Sequence, residues 1–71
     1  MTATNETDRF AFHVLRVGVA LVRKSDNASV YFQPGDDANR AEAEANHCFD
    51  VAEMTPGEND RLFNRWAARY F

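Results

Sequence analysis

The sequence predicts an α+β domain in which an antiparallel β-hairpin is packed by two helices, and three observations carry that prediction. Residues 10–33 are rich in β-branched and aromatic side chains and are interrupted by the turn cluster Ser25-Asp26-Asn27. Small apolar residues recur at helical spacing from Ala38 to Ala52. A third segment opens on Thr55-Pro56-Gly57-Glu58 and carries a stripe of large aromatic residues to Phe71.

Taken in order, Met1 to Asp8 has no apolar periodicity and reads as a loose N-terminal arm of a single domain spanning residues 1–71. The first strand is expected over residues 10–24. Within it the apolar set changes phase, from Phe10, Phe12 and Val14 at even positions to Leu15, Val17, Val19 and Leu21 at odd ones. Gly18 between the two sets suggests a bulge that re-aims the strand. A short helix over residues 8–16 is the competing reading, from the spacing of Phe10, Val14 and Val17.

The runs VGVALVRK and ASVYF flank the turn cluster and should pair, with the second strand over residues 28–33 and Val30 and Phe32 on one face. Pro34 and Gly35 end that strand, and Asp36 or Asp37 is expected to cap a helix over residues 36–53. Its seam is Ala38, Ala41, Ala45, Cys48 and Ala52, thickened by Phe49. In the second helix, over residues 56–70, Thr55 is the cap, Pro56 takes the first position and Glu58 closes a capping box. Leu62, Phe63, Trp66, Ala67, Tyr70 and Phe71 form its apolar stripe, read as core, with the terminal aromatic pair docked.

The charges are sorted into blocks. From Pro34 to Asp60 eight acids (Asp36, Asp37, Glu42, Glu44, Asp50, Glu53, Glu58, Asp60) face one base, Arg40, for a segment charge of −7. The preceding residues carry +1 and Arg61, Arg65 and Arg69 add +3, so the chain totals −3. A chain of 71 residues buries only about 60% of its unfolded surface, and with Cys48 as its one cysteine it has no intrachain disulfide to compensate. The composition, 45% apolar and 27% charged, is that of a folded globule. The polar first ten residues do not read as a signal peptide, no apolar run reaches the ~20 residues that span a bilayer, and a lone cysteine suits a reducing compartment. The expected location is the cytoplasm.

Little in the sequence points to catalysis. His13, His47 and Cys48 are the soft ligands and nucleophiles, and the adjacent pair His47-Cys48 diverges by about 100° on a helix, so no metal and no cofactor are expected. Cys48 reads as a small core hydrophobe, with activation by His13 as the enzymatic alternative. Arg61, Arg65 and Arg69 line one face of the last helix; they would serve either as a nucleic-acid contact or to neutralise acids such as Glu42 and Glu53 across the helix pair. The second use is favoured because an acidic chain repels nucleic acid.

The acidic block reads as an interaction surface, with Asp36, Asp37, Glu42, Glu44, Asp50 and Glu53 as charge partners for lysine or arginine; its plain alternative is a solvated, solubilising face. The run SVYFQPGDDANRAEAEA and the RYF terminus resemble small proteins encoded by phages and mobile elements of proteobacteria. That resemblance implies no chemistry. It implies stoichiometric binding to a basic, nucleic-acid-binding site of a host complex, as in inhibitors of CRISPR defence. The expected protein is therefore a non-enzymatic binder of a Lys/Arg-rich host surface, without direct nucleic-acid or membrane partners, and with a homodimer through residues 10–22 as a further expectation. The alternatives are a structural or dimerisation module and a transcriptional accessory using the arginine row.

Overall fold

The computed structural model describes residues 4–50 and 54–71. Its strands are β1 (Asn5–Glu6), β2 (Phe10–Val14), β3 (Val19–Arg23) and β4 (Ala28–Phe32), followed by the helices α1 (Asp36–Asp50) and α2 (Pro56–Ala68). The strands form an antiparallel meander in the order β1-β2-β3-β4. The α+β architecture of a hairpin packed by two helices is present, and the sheet is larger than the sequence suggests.

What reads as one bulged strand over residues 10–24 is two strands. Val14 pairs with Val19 and Phe10 with Arg23, so residues 15–18 are the loop of a tight hairpin, closed by a hydrogen bond from the Leu15 N–H to the Gly18 carbonyl. The reversal explains the change of phase: even residues before the loop and odd residues after it point to the same side of the sheet. Phe10, Phe12, Val19 and Leu21 are all buried there. The helix over residues 8–16 does not form, because its residues are paired in β2.

Gly18 has φ +80°, and a side chain there would meet the Phe32 carbonyl at 2.5 Å and the Tyr31 hydroxyl at 2.6 Å. The Tyr31 hydroxyl in turn donates to the Val17 carbonyl, tying the loop to β4. Glycine is needed here for both its backbone conformation and its lack of a side chain.

Of the arm expected over residues 1–8, residues 1–3 lie outside the described residues and the remainder joins the sheet. The Thr4 N–H donates to the Phe12 carbonyl, and Asn5 and Glu6 pair with Phe12 and Ala11. Buried Thr7 accepts from the N–H groups of Arg9 and Phe10 and donates to Asn64 of α2 at 2.5 Å. Among the described residues β2 lies between β1 and β3, and β3 between β2 and β4, so β1 and β4 are the outer strands of the sheet.

Both helices cover one face of the sheet. The core joins Phe10, Phe12, Val19 and Leu21 to the seam Ala38, Ala41, Ala45 and Cys48 and to Phe63, Trp66 and Ala67. Ala52, expected in the seam, lies outside the described residues. Alanine lets α1 approach closely but contributes little buried area, and the aromatic groups supply the volume. Phe49 packs on Phe63, Phe63 on Trp66, and Trp66 edge-on to Phe12 and Tyr70. Beyond the end of α2, Tyr70 meets Phe32 and Phe71 meets Phe10, with the Arg23 guanidinium over the Phe71 ring at 4.9 Å.

Candidate functional site

Helix α1 presents the predicted binding residues, and its local sequence fixes where each one stands. The seam at 38, 41, 45 and 48 faces the core, so positions 36, 37, 40, 43, 47 and 50 point to solvent. The helix starts at Asp36, which places Asp36 and Asp37 in its first turn rather than at the cap expected of them. There they suit the positive end of the helix dipole. Asp50 ends the helix, about 20 Å away at 1.5 Å per residue.

The remaining acids divide. Glu42 is half-buried, one turn before Asn46, whose side chain accepts a hydrogen bond from Asn5. Glu44 lies on the other flank, where it accepts from the Trp66 indole N–H at 2.8 Å. Glu44 is thus committed to the helix pair and is not a free charge. Glu53 lies outside the described residues. Glu58, though part of the acidic block, is taken by its capping box: it accepts from the Thr55 N–H, while its own N–H donates to the Thr55 hydroxyl. The Thr55 N–H, and next the Thr55 hydroxyl, donate to its carboxylate and hold that carboxyl below the usual value.

Among the described residues the arginine row makes no ion pair with the acidic helix; Glu53, one of the acids expected to face it, lies outside them. Arg61, Arg65 and Arg69 are exposed, and none has a carboxylate within ion-pair distance, Glu42 included. The ion pairs there are Arg23–Asp26 and Lys24–Glu6, both on the sheet side. Asp36, Asp37, Glu42 and Asp50 are likewise without a cationic partner among the described residues.

No protein-family model, curated protein or solved structure matches this chain. The reading of its surface therefore rests on its own residues.

The soft side chains do not assemble. Cys48 is buried in the seam, its Sγ donates to the Glu44 carbonyl, and burial pushes its thiol pKa up, so it is held as a neutral thiol. His13 alternates with Phe12 and so lies on the uncovered face of the sheet, with β2 between it and Cys48. A His13–Cys48 pair is excluded by that placement. Among the described residues no group of three or more His, Cys, Asp or Glu could hold a metal ion, and no helix is long and apolar enough to cross a membrane.

The fold also builds a feature that sequence reasoning missed. Arg61 and Arg65 of α2 share a cleft of about 1000 Å3 with Arg9, Arg23 and Lys24 from the open end of the β2–β3 hairpin. The Lys24 N–H donates to the Arg9 carbonyl, which sets those two residues side by side. The signal for this was the hairpin register: once the chain reverses at residues 15–18, positions 9 and 24 must meet. A strand read as continuous conceals it.

Proposed function

We propose that this chain is a non-enzymatic binding protein that associates stoichiometrically with a Lys/Arg-rich surface of another protein through the exposed face of α1. The observation that carries this reading is the lack of ion pairs to these acids among the described residues. Asp36, Asp37, Glu42 and Asp50 have no cationic partner among the described residues, although three arginines stand on the neighbouring helix. A rigid helix holds these carboxylates over a span of about 20 Å, so the partner it fits carries cations spread over a similar distance. Glu44 is a packing residue in this scheme. An inhibitor of phage or mobile-element origin, directed at a nucleic-acid-binding site, is the specific form of the reading; its support is the resemblance of the SVYFQPGDDANRAEAEA segment and the RYF terminus.

The test is capture of host proteins on the tagged chain and on an Asp36→Lys/Asp37→Lys/Asp50→Lys variant, each at low and high salt. A partner retained by the native chain at low salt, and lost both at high salt and on charge reversal, supports the reading. A partner retained equally by both chains, whatever the salt, overturns it.

A further inference from the structure

The cleft between α2 and the open end of the β2–β3 hairpin is a local reversal of the protein's acidic character. Its wall holds Arg9, Arg23, Lys24, Arg61 and Arg65 against two carboxylates, Asp8 and Asp60. Arg23 and Lys24 are already paired with Asp26 and Glu6, which leaves Arg9, Arg61 and Arg65 as three exposed guanidiniums without a carboxylate partner among the described residues. Buried Phe10 forms the floor, and the small residues Ser25, Gly57 and Ala68 give the cleft its room.

Gly57 adds a second, independent observation. It sits in the first turn of α2, its φ is not positive, and a side chain there would meet nothing within 4 Å. Neither backbone conformation nor internal packing calls for glycine, which costs up to about 1 kcal/mol relative to alanine in a helix interior and less in a first turn. The bare backbone does, however, open onto the cleft. Pro56 has no N–H, and the N–H groups of Glu58 and Asn59 are taken by Thr55, so the Gly57 N–H is the first-turn donor without a partner among the described residues.

From these observations we infer that the cleft is a binding site for a phosphate-bearing small molecule of nucleotide size, held by Arg9, Arg61 and Arg65 with the Gly57 backbone beside it. Guanidiniums match phosphate oxygens in pairs of parallel hydrogen bonds, and a mainly apolar floor under a charged rim is how small-ligand sites of about 300–1000 Å3 are built. Asp8 and Asp60, in the wall, oppose an anionic ligand. This site is independent of the α1 surface, so either proposal can fail without the other.

The test is a heteronuclear NMR titration of the whole chain with pyrophosphate, ADP, oligodeoxythymidines of increasing length and a polyglutamate peptide. Saturable binding of pyrophosphate or ADP, with shifts confined to residues 8–10, 23–25, 57–65 and 68, is expected. Arg61→Glu/Arg65→Glu should weaken it about ten- to hundredfold, and Asp60→Asn should tighten it. Gly57→Ala should weaken it without lowering the melting temperature, and Asp36→Lys/Asp37→Lys should leave it in place. The inference is overturned by a Kd weaker than about 10 mM for both probes, by full affinity in Arg61→Glu/Arg65→Glu, or by polyglutamate binding as tightly as pyrophosphate. Affinity that climbs with oligonucleotide length would reassign the cleft to nucleic acid and overturn the small-ligand inference.

Discussion

Replacing Gly18 by alanine tests the hairpin reading of residues 10–23 at its tightest point. The added methyl group would lie 2.5 Å from the Phe32 carbonyl oxygen and 2.6 Å from the Tyr31 hydroxyl, at a backbone φ of +80°. The left-handed conformation costs an L-residue about 1–2 kcal/mol, and relieving the overlap adds about 1–3 kcal/mol. Tyr31 can swing away, but the Phe32 carbonyl belongs to the β4 backbone and cannot. The expected loss is therefore about 2–5 kcal/mol, a large part of the roughly 4–10 kcal/mol available to a domain of this size. Urea unfolding followed by Trp66 fluorescence measures it, with a midpoint expected to fall by about 2 M or more at a slope near 1 kcal/mol/M. Gly57→Ala is the internal control: with free space and no positive φ, it should be neutral or stabilising. Adding Tyr31→Phe to Gly18→Ala should not restore stability. A Gly18→Ala protein within about 0.5 kcal/mol of the parent would refute the reasoning, since neither the strain nor the close approach would then exist.

Other outcomes follow from the same geometry. Glu44→Ala should cost about 1–3 kcal/mol by leaving the Trp66 N–H without its acceptor in a part-buried site, Glu44→Gln should cost less, and neither should change binding to a basic partner; denaturant melts and titrations separate the two effects. Thr55→Ala removes the acceptor of the Glu58 N–H and should destabilise by about 1 kcal/mol in thermal unfolding. Phe63→Ala should cost about 3–5 kcal/mol and leave little folded protein by circular dichroism, because Phe63 is fully buried between Phe49 and Trp66. The Arg23 guanidinium, with help from the Ala28 N–H, holds the Asp26 carboxyl at about 2 against an ordinary 3.8. A folded-state value below the unfolded one means that the contribution to stability is present above pH 3.8 and is lost as pH falls through about 2. A carboxyl NMR titration of Asp26 should show this low midpoint, and Arg23→Gln should raise it.

The parts of the fold that were legible in the sequence are those set by neighbours along the chain. The capping box at Thr55 and Glu58, the stop at Pro34-Gly35 and the Ser25–Asn27 turn involve residues within a few positions of each other, and all three are where the spacing placed them. The alanine seam was equally legible, because the period of a helix shows in its own residues. The first hairpin was not. Leu15 and Val17 are apolar residues in a loop, so the strand signal runs unbroken through a reversal, and the need for Gly18 comes from Tyr31 and Phe32, thirteen and fourteen residues on. Strand β1 has two residues, too few for any period, and buried Thr7 donates to Asn64 of α2, fifty-seven positions away.

The site divides in the same way. That Asp36, Asp37 and Asp50 are exposed follows from the helical period. The withdrawal of Glu44 by Trp66, twenty-two positions away, and the gathering of Arg9 and Lys24 with Arg61 and Arg65 depend on how the sheet folds back under α2. Arg61 and Arg65 looked like counter-charges for the acidic helix when only their spacing was known. In the fold they face a cleft of their own.

The central claim is that the α1 carboxylates remain available for a partner, and it is tested most directly by titrating the isotope-labelled chain with a lysine- and arginine-rich peptide at two ionic strengths. Between about 0.01 M and 0.15 M salt the screening length falls from about 30 to about 8 Å. The account predicts shifts centred on Asp36, Asp37, Glu42 and Asp50, weaker binding at the higher salt, and loss of both in Asp36→Lys/Asp37→Lys/Asp50→Lys. Shifts that leave α1 untouched, or an affinity indifferent to salt and to those three substitutions, would contradict it.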